Sequence, residues 1–455
     1  MGFFLVFFPE EQQHFNSSKP ISSPTINSIL KRTNSSHIFT RTQSTISIYA
    51  LLIFLTLLFF TLSSFEPNND FISSHRKLTQ NHPNFHSKSN SPALQGLGTL
   101  YTRGTTAMND LVICHVSNLV TNNELSLFLK TFHRSGLPSK SDLLFVFDSI
   151  STVTSFDGVI REENDVFLNL VQEVRRAYGY IPASFDVTRF VNSGNQPENK
   201  EPIWGRQIKS YNSSINSSLN YGSVVGFGIG ELDPENSLSG FLDSVPISLR
   251  RWASYPMILG QVRRKFKRVM LVDVKEVLLL GDPLSRVKSH SPESIFLYST
   301  PPKHGRKSNK SHRKTVNPAL IIGGERGVRR LSAAMLTEIV RSTTRQHHNK
   351  KNSITESALL SQLAGNEFLQ KSIRFVPSTE SIPDPSSLGG VGLANQTVVR
   401  RGNSNFDIGG VIMKHICSFS IDSSVYTDCG PVGTLKVLSD AAVVVIADSP
   451  MKSMC

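Results

Sequence analysis

The sequence is poor in cysteine and shorter in acid than in base. Its four cysteines, Cys114, Cys417, Cys429 and Cys455, are too few for a disulfide framework, and no CxxC pair exists to suggest structural zinc or redox exchange. A GxSxG nucleophile elbow is missing, and so are the GxGxxG and P-loop spacings. The glycines of "VVGFGIG" (224–230) match neither spacing and imply no phosphate loop. No repeat of fixed period occurs, which excludes solenoids and propellers. Thirty-five acidic residues face 48 basic ones, a formal charge of +13 that favours anionic partners such as phosphates, nucleotide sugars, acidic polysaccharide or lipid headgroups.

With 455 residues and 39% hydrophobic content, the chain can bury one large core and still leave an unfolded arm. Residues 46–62, "ISIYALLIFLTLLFFTL", are uncharged and reach roughly 25 Å as a helix. That length predicts a transmembrane helix. Lys19, Lys31, Arg32 and Arg41 precede it, against Glu10 and Glu11, while Glu66 and Asp70 follow. The positive-inside bias therefore places residues 1–45 in the cytosol and makes the segment an uncleaved signal anchor. Position 6 is Val6, not Ser or Thr, so the N-terminus gives no support for myristoylation.

On the far side lie four sequons, at Asn212, Asn216, Asn309 and Asn395, which fit a secretory lumen in the Golgi or ER. Residues 63–105 are rich in Ser, Asn and His without helical or strand period, and read as a disordered stem. Residues 106–455 read as the luminal domain. Cys417 and Cys429 are close enough in sequence to close a loop in an oxidising compartment, with free buried cysteine as the alternative.

From residue 110, short apolar runs alternate with amphipathic stretches, the pattern of an α/β domain with mainly parallel strands. "DLVICHVS" (110–117) and "DLLFVFDS" (142–149) read as buried strands, with a helix over "NNELSLFLKTFHRSG" between them. Phe167, Leu170, Val171, Val174 and Tyr178 share a helical stripe. "RVMLVDV", "SIFLYS", "PALIIGG" and "AVVVIAD" (442–448) are further strands. Residues 190–237 read as mostly loop, and 300–318 as a basic projecting loop.

Leu249, Trp252, Pro256, Leu259, Val262 and Phe266 recur at spacings of three or four, a helix that feeds the strand ending at Asp273. That helix, the strand, and then "VKEVLLLGDPL" resemble the donor-site region of GT-A glycosyltransferases of the family-8 type. The resemblance covers most of residues 110–376, and the whole chain resembles plant type II membrane proteins with such a domain. It implies a GT-A-like α/β fold and a nucleotide-sugar donor held near Asp273, Lys275 and Asn317. Glu356 falls at the position of the family's later acidic segment, and gives a catalytic set of Asp273, Lys275 and Glu356. The family's Asp-x-Asp pair binds a divalent metal, usually manganese, because such ions prefer hard oxygen ligands.

Here the second member is Lys275, whose ammonium repels a cation, so the sequence predicts no metal site. Glu276 points to the other face of an extended strand and replaces the missing ligand only through a local turn. His415 lacks the spacing of the family's late His motif. Two functional readings follow. In one, Lys275 holds the diphosphate and the protein transfers sugar to cell-wall or glycoprotein glycans without strong metal dependence. In the other, the donor site is lost, Asp273 and Lys275 form an ion pair, and the protein is a non-catalytic binding or assembly partner of active glycosyltransferases.

Asp282 in a Gly-Asp-Pro turn and Asp148 at a strand end are secondary candidates, each also explained by turn or capping chemistry. The run from Lys303 to Lys314 suits an acidic polysaccharide or simple solvation. It has no interleaved aromatics and does not point to nucleic acid.

Overall fold

A computed structural model describes Leu51, Ile53, Phe54 and, with interruptions, residues 92–430. The interruptions are 95–96, 178–181, 192–201, 206–218, 234, 300–314, 349–353, 378–381, 385–395 and 403–405. The chain divides into two units, residues 1–85 and 86–455, and the fold is that of the second. The expected membrane span, the four sequons, the basic run, Tyr178 and the strand at 442–448 lie outside the described residues, apart from Leu51, Ile53 and Phe54, which are helical and exposed. Among the described residues no helix is long and apolar enough to cross a membrane.

Nine strands make one sheet: β1 (Pro92–Leu94), β2 (Leu97–Thr102), β3 (Asp110–Val116), β4 (Ser141–Phe147), β5 (Val224–Gly228), β6 (Arg268–Asp273), β8 (Ile295–Ser299), β9 (Val316–Gly324) and β10 (Ile373–Phe375). Their order is β1-β2-β5-β4-β3-β6-β9-β8-β10. The pairings turn only β2 and β9 against the rest, so the fold is mixed α/β with a mainly parallel sheet. A separate ribbon pairs β7 (Val277–Leu279) with β11 (Val398–Arg400).

Side chains alternate across each strand and feed two cores. On β3, Val112, Cys114 and Val116 meet α1 (Asn122–Arg134) and α2 (Ile150–Arg176) through Phe128, Phe132, Phe156 and Ile160. Leu111 and Ile113 on the other face belong to a core shared with α4 (Ile247–Gln261), α5 (Glu325–His348) and α6 (Glu356–Ala364), through Trp252, Leu331 and Leu360. A short α3 (Ser239–Ser244) precedes α4, a four-residue α7 (Glu367–Gln370) follows α6, and α8 (Ile408–Cys417) and α9 (Ser420–Val425) close the described chain. Cys417 is bonded to Cys429, with a Cα–Cα distance of 5.3 Å, and Cys114 is free and buried.

Three boundaries differ from the sequence reading. Residues 92–102, within the segment read as stem, form β1 and β2, because Ala93, Leu100 and Tyr101 are buried against the core. β5 lies inside the stretch read as loop, where two glycines weaken the strand pattern. A Cβ at Gly226 would stand 2.7 Å from the Tyr101 ring and 2.9 Å from that of Phe147, so close packing between sheet and rings requires glycine there. The helix carrying Phe167 and Leu170 begins at Ile150, where Ser149 accepts a hydrogen bond from the Thr152 N–H.

A candidate site at the carboxyl ends of β3 and β6

From β3 the chain moves outward through α1 to β4 and through α2 to β5, then returns by α4 to place β6 on the other flank of β3. Open α/β sheets bind ligands at the crevice where strand order reverses, outside the carboxyl ends of the strands. That crevice lies between β3 and β6, where His115 stands in register with Asp273.

The crevice holds a buried ion network. Arg251 projects from α4, is 3% exposed, and donates Nη1 to Asp273 Oδ2 at 2.5 Å. Its Nη2 donates to both oxygens of Glu356 at 2.8 Å, and Nε to Oε1 at 3.1 Å. Trp252 Nε1 adds a 2.5 Å bond to Glu356 Oε1. His115 completes the cluster: Nε2 is 2.8 Å from Asp148 Oδ1, while Nδ1 is 3.2 Å from Arg251 Nη1 and 3.9 Å from Asp273 Oδ2. Asp148 also accepts from the Asn118 N–H at 3.2 Å.

Burial works against charge on Asp273, but the Arg251 guanidinium and the nearby His115 imidazole hold its carboxyl well below the usual range. Burial opposes charge on Arg251 as well, and Glu356 with Asp273 drives its value above the ordinary one. His115 is raised: burial pulls downward, and the bond to Asp148 with the nearby Asp273 carboxylate outweighs it.

Lys275 takes no part in this network through its side chain. Residues 274–276 form a turn in which the Lys275 N–H donates to Asp273 Oδ1 at 3.0 Å, while Nζ reaches away to Glu124 at 2.7 and 2.9 Å. The expected Asp273–Lys275 ion pair is therefore replaced by two others, Asp273–Arg251 and Lys275–Glu124. Glu124 is held in a capping box with Thr121 at the start of α1, and Arg401 donates to the Glu124 carbonyl at 2.8 Å. The turn bonds the Glu276 N–H to the Asp273 carbonyl at 3.2 Å, while the Glu276 carboxylate pairs elsewhere. Its nearest cation is Arg400, at 3.9 Å.

Of the sequence candidates, Asp273, Glu356 and Asp148 converge, Lys275 is adjacent, and Asn317 does not join them. Asn317 is buried on β9 and accepts from the Ala319 N–H at 3.0 Å. Asp282 caps a 3-10 turn and binds Lys140, and His415 is an exposed helix-end residue in edge-to-face contact with Phe419. Sequence reasoning missed Arg251 and His115. The signals were there: a histidine inside the otherwise apolar "LVICHV", and an arginine adjoining the buried stripe of α4.

Residues 91–381 match the family described as a domain of unknown function, DUF7780. The chain belongs to that family. No curated protein matches it. Among solved structures, it is similar to the galactosyltransferase LgtC in complex with donor and acceptor sugar analogs. The two are 11% identical over 68% of this chain and 96% of that one, with a TM-score of 0.34. An active-site variant of LgtC gives the same identity and coverage, with a TM-score of 0.35. No residue role is carried over from either to this member of DUF7780.

What this end of the sheet can do follows from its charges. In the network, Asp148, Asp273 and Glu356 face the single guanidinium of Arg251, leaving two negative charges in excess, or one when His115 is protonated. Adding Glu124, Lys275 and Arg401 still leaves no positive excess. A diphosphate approaching this end would meet acidic groups, and the cations nearest to it are already paired or turned to backbone carbonyls.

Proposed function

We propose that this protein is a glycosyltransferase-like member of DUF7780 whose donor end has become a fixed ion network, and that it acts as a non-catalytic binding or assembly partner of glycan-building enzymes. One observation carries the reading: Arg251 occupies Asp273 from inside the protein and ties it to Glu356. In a metal-dependent transferase the carboxylate at this strand end must be free to ligate the ion that bridges the donor diphosphate. Here each Asp273 oxygen already accepts a hydrogen bond, one from the guanidinium and one from the Lys275 N–H. The order of elements around "RVMLVDVKEVLLLGDPL" and the sheet with its reversed β9 support the GT-A-like part of the reading.

Anchoring by residues 46–62, with the domain facing a Golgi or ER lumen, is part of the same proposal. It is supported by the uncharged run, its flanking charges and the four sequons. The competing reading, a metal-independent transferase using Lys275, would need Glu124 to release the ammonium.

Calorimetric titration of the full chain with nucleoside diphosphates and nucleotide sugars decides between them, run with manganese and with chelator. The non-catalytic reading expects no saturable heat in either condition from a folded protein. Binding that survives chelation and vanishes in Lys275→Ala would overturn it.

A further inference from the structure

The opposite end of the sheet carries a feature that the site above does not use. A cleft of about 630 Å³ opens where β6 begins and β9 ends. Beside the half-buried Arg268, four further cations line it: Arg264 and Lys267 before β6, Lys288 after a 3-10 turn, and Arg326 in the first turn of α5. All four are exposed, and among the described residues no carboxylate lies within ion-pair distance of them. The acids nearby are already used. Asp110 is fully buried on Arg268, Glu325 pairs with Arg329, and Glu293 with Arg330.

The rim is rigid as well as basic. The Lys267 N–H donates to the Asn109 carbonyl at 2.6 Å, and the Lys267 carbonyl accepts from the Glu325 N–H at 3.1 Å, so its backbone is clamped between the start of β3 and the start of α5. Gly324 approaches the Pro292 backbone so closely that a Cβ there would lie within 2.5 Å of it. Arg264 adopts the left-handed region, φ 64°, a conformation disfavoured for any residue with a side chain.

The geometry points to this cleft as a binding surface for a linear acidic polysaccharide, read through its carboxylates. Like charges that have no partners of their own repel one another, and a polyanion relieves that repulsion. Guanidinium groups match carboxylates in bidentate geometry, and Asn109 and Ser291 line the same cleft, polar residues that suit a chain whose charges are separated by hydroxyls. The cations surround a hollow, whereas a membrane surface needs them on a flat face. Nucleic acid fits poorly: Phe266 is buried and the His290 ring is engaged with Phe296, so no aromatic platform is offered to bases. The inference is independent of whether the Asp273 end is catalytic.

The test uses the full chain in detergent with oligogalacturonate as probe. A variant with Arg264→Glu, Lys267→Glu, Lys288→Glu and Arg326→Glu is compared with a charge-matched control, Arg175→Glu, Arg176→Glu, Lys371→Glu and Arg374→Glu. We expect salt-sensitive binding to the wild type and control, weaker by about tenfold or more in the cleft variant, with thermal melts unchanged. Equal loss in both variants, or no binding at low salt, overturns the proposal. So does tighter cleft-dependent binding of polyglutamate, single-stranded DNA or phosphatidylserine vesicles.

Discussion

Replacing Arg251 with methionine should be among the most destabilising single changes in this domain. Methionine keeps much of the aliphatic stem and removes the guanidinium, which donates to Asp273 and to both oxygens of Glu356. Two carboxylates in a largely buried pocket then lose their only shared cation, and Glu356 keeps only the Trp252 N–H among its bonds in the network. Truncating one partner of a buried ion pair costs about 3–5 kcal/mol because the remaining charge is uncompensated. Against a total stability of roughly 5–15 kcal/mol for a natural domain, that is a large fraction. Arg251→Lys keeps the charge without the planar fork, so its loss should fall between wild type and methionine. Neutralising the acids in the methionine background, with Glu356→Gln and Asp273→Asn, should recover part of the loss. Urea unfolding followed by tryptophan fluorescence reads the series, since Trp252 is in the network. A loss under about 1 kcal/mol in Arg251→Met would mean that the guanidinium does not hold these carboxylates in place.

Asp142 is fully buried, and its carboxylate accepts from Trp204 Nε1 at 3.0 Å and the Ser223 N–H at 2.8 Å. Burial lifts its pKa from 3.8 to about 7 against those two bonds. Over that window the folded chain retains a proton that the unfolded chain has released, so this group's contribution falls as pH rises and is flat above it. His115 is raised too, so what it contributes is present below its ordinary 6.5 and lost as pH rises through the folded value. Unfolding midpoints across the window should show the decline shrinking below neutrality in Asp142→Asn and above it in His115→Gln, and unchanged slopes would count against both. Gly158 lies within α2 with open space around it, so Gly158→Ala should add about 0.5–1 kcal/mol in thermal unfolding. Gly226→Val, pressed against Tyr101 and Phe147, should lose about 1–3 kcal/mol, and a stabilising result would show that the sheet has room there.

Much of the sheet was legible because its strands are short apolar runs ending in turn residues. β3, β4, β6 and β8 begin and end within a residue or two of their sequence boundaries, and α1 declares itself through amphipathic spacing between Asn122 and Arg134. β5 was hidden because Gly226 and Gly228 interrupt its apolar run, and Gly226 is there to let the Tyr101 and Phe147 rings approach, a tertiary requirement that local pattern does not carry. The candidate site was half legible. Asp273 and Glu356 follow from the resemblance and do meet. Their link, Arg251, is more than 100 residues from Glu356, and an arginine on a helix reads as solvent-facing unless its acceptors are known. Lys275 reads in the sequence as a departure from a metal pair, while its partner Glu124 comes from the start of α1, 151 residues away.

The proposed function requires Asp273 to be spent on Arg251 and not kept for a ligand. A double-mutant cycle between Arg251→Met and Asp273→Asn, read by urea unfolding, tests it most directly. A coupling of about 1–3 kcal/mol is expected, with the double variant less destabilised than the sum of the singles. Additivity within about 0.5 kcal/mol would contradict it, because Asp273 would then be independent of the arginine and free to hold something else.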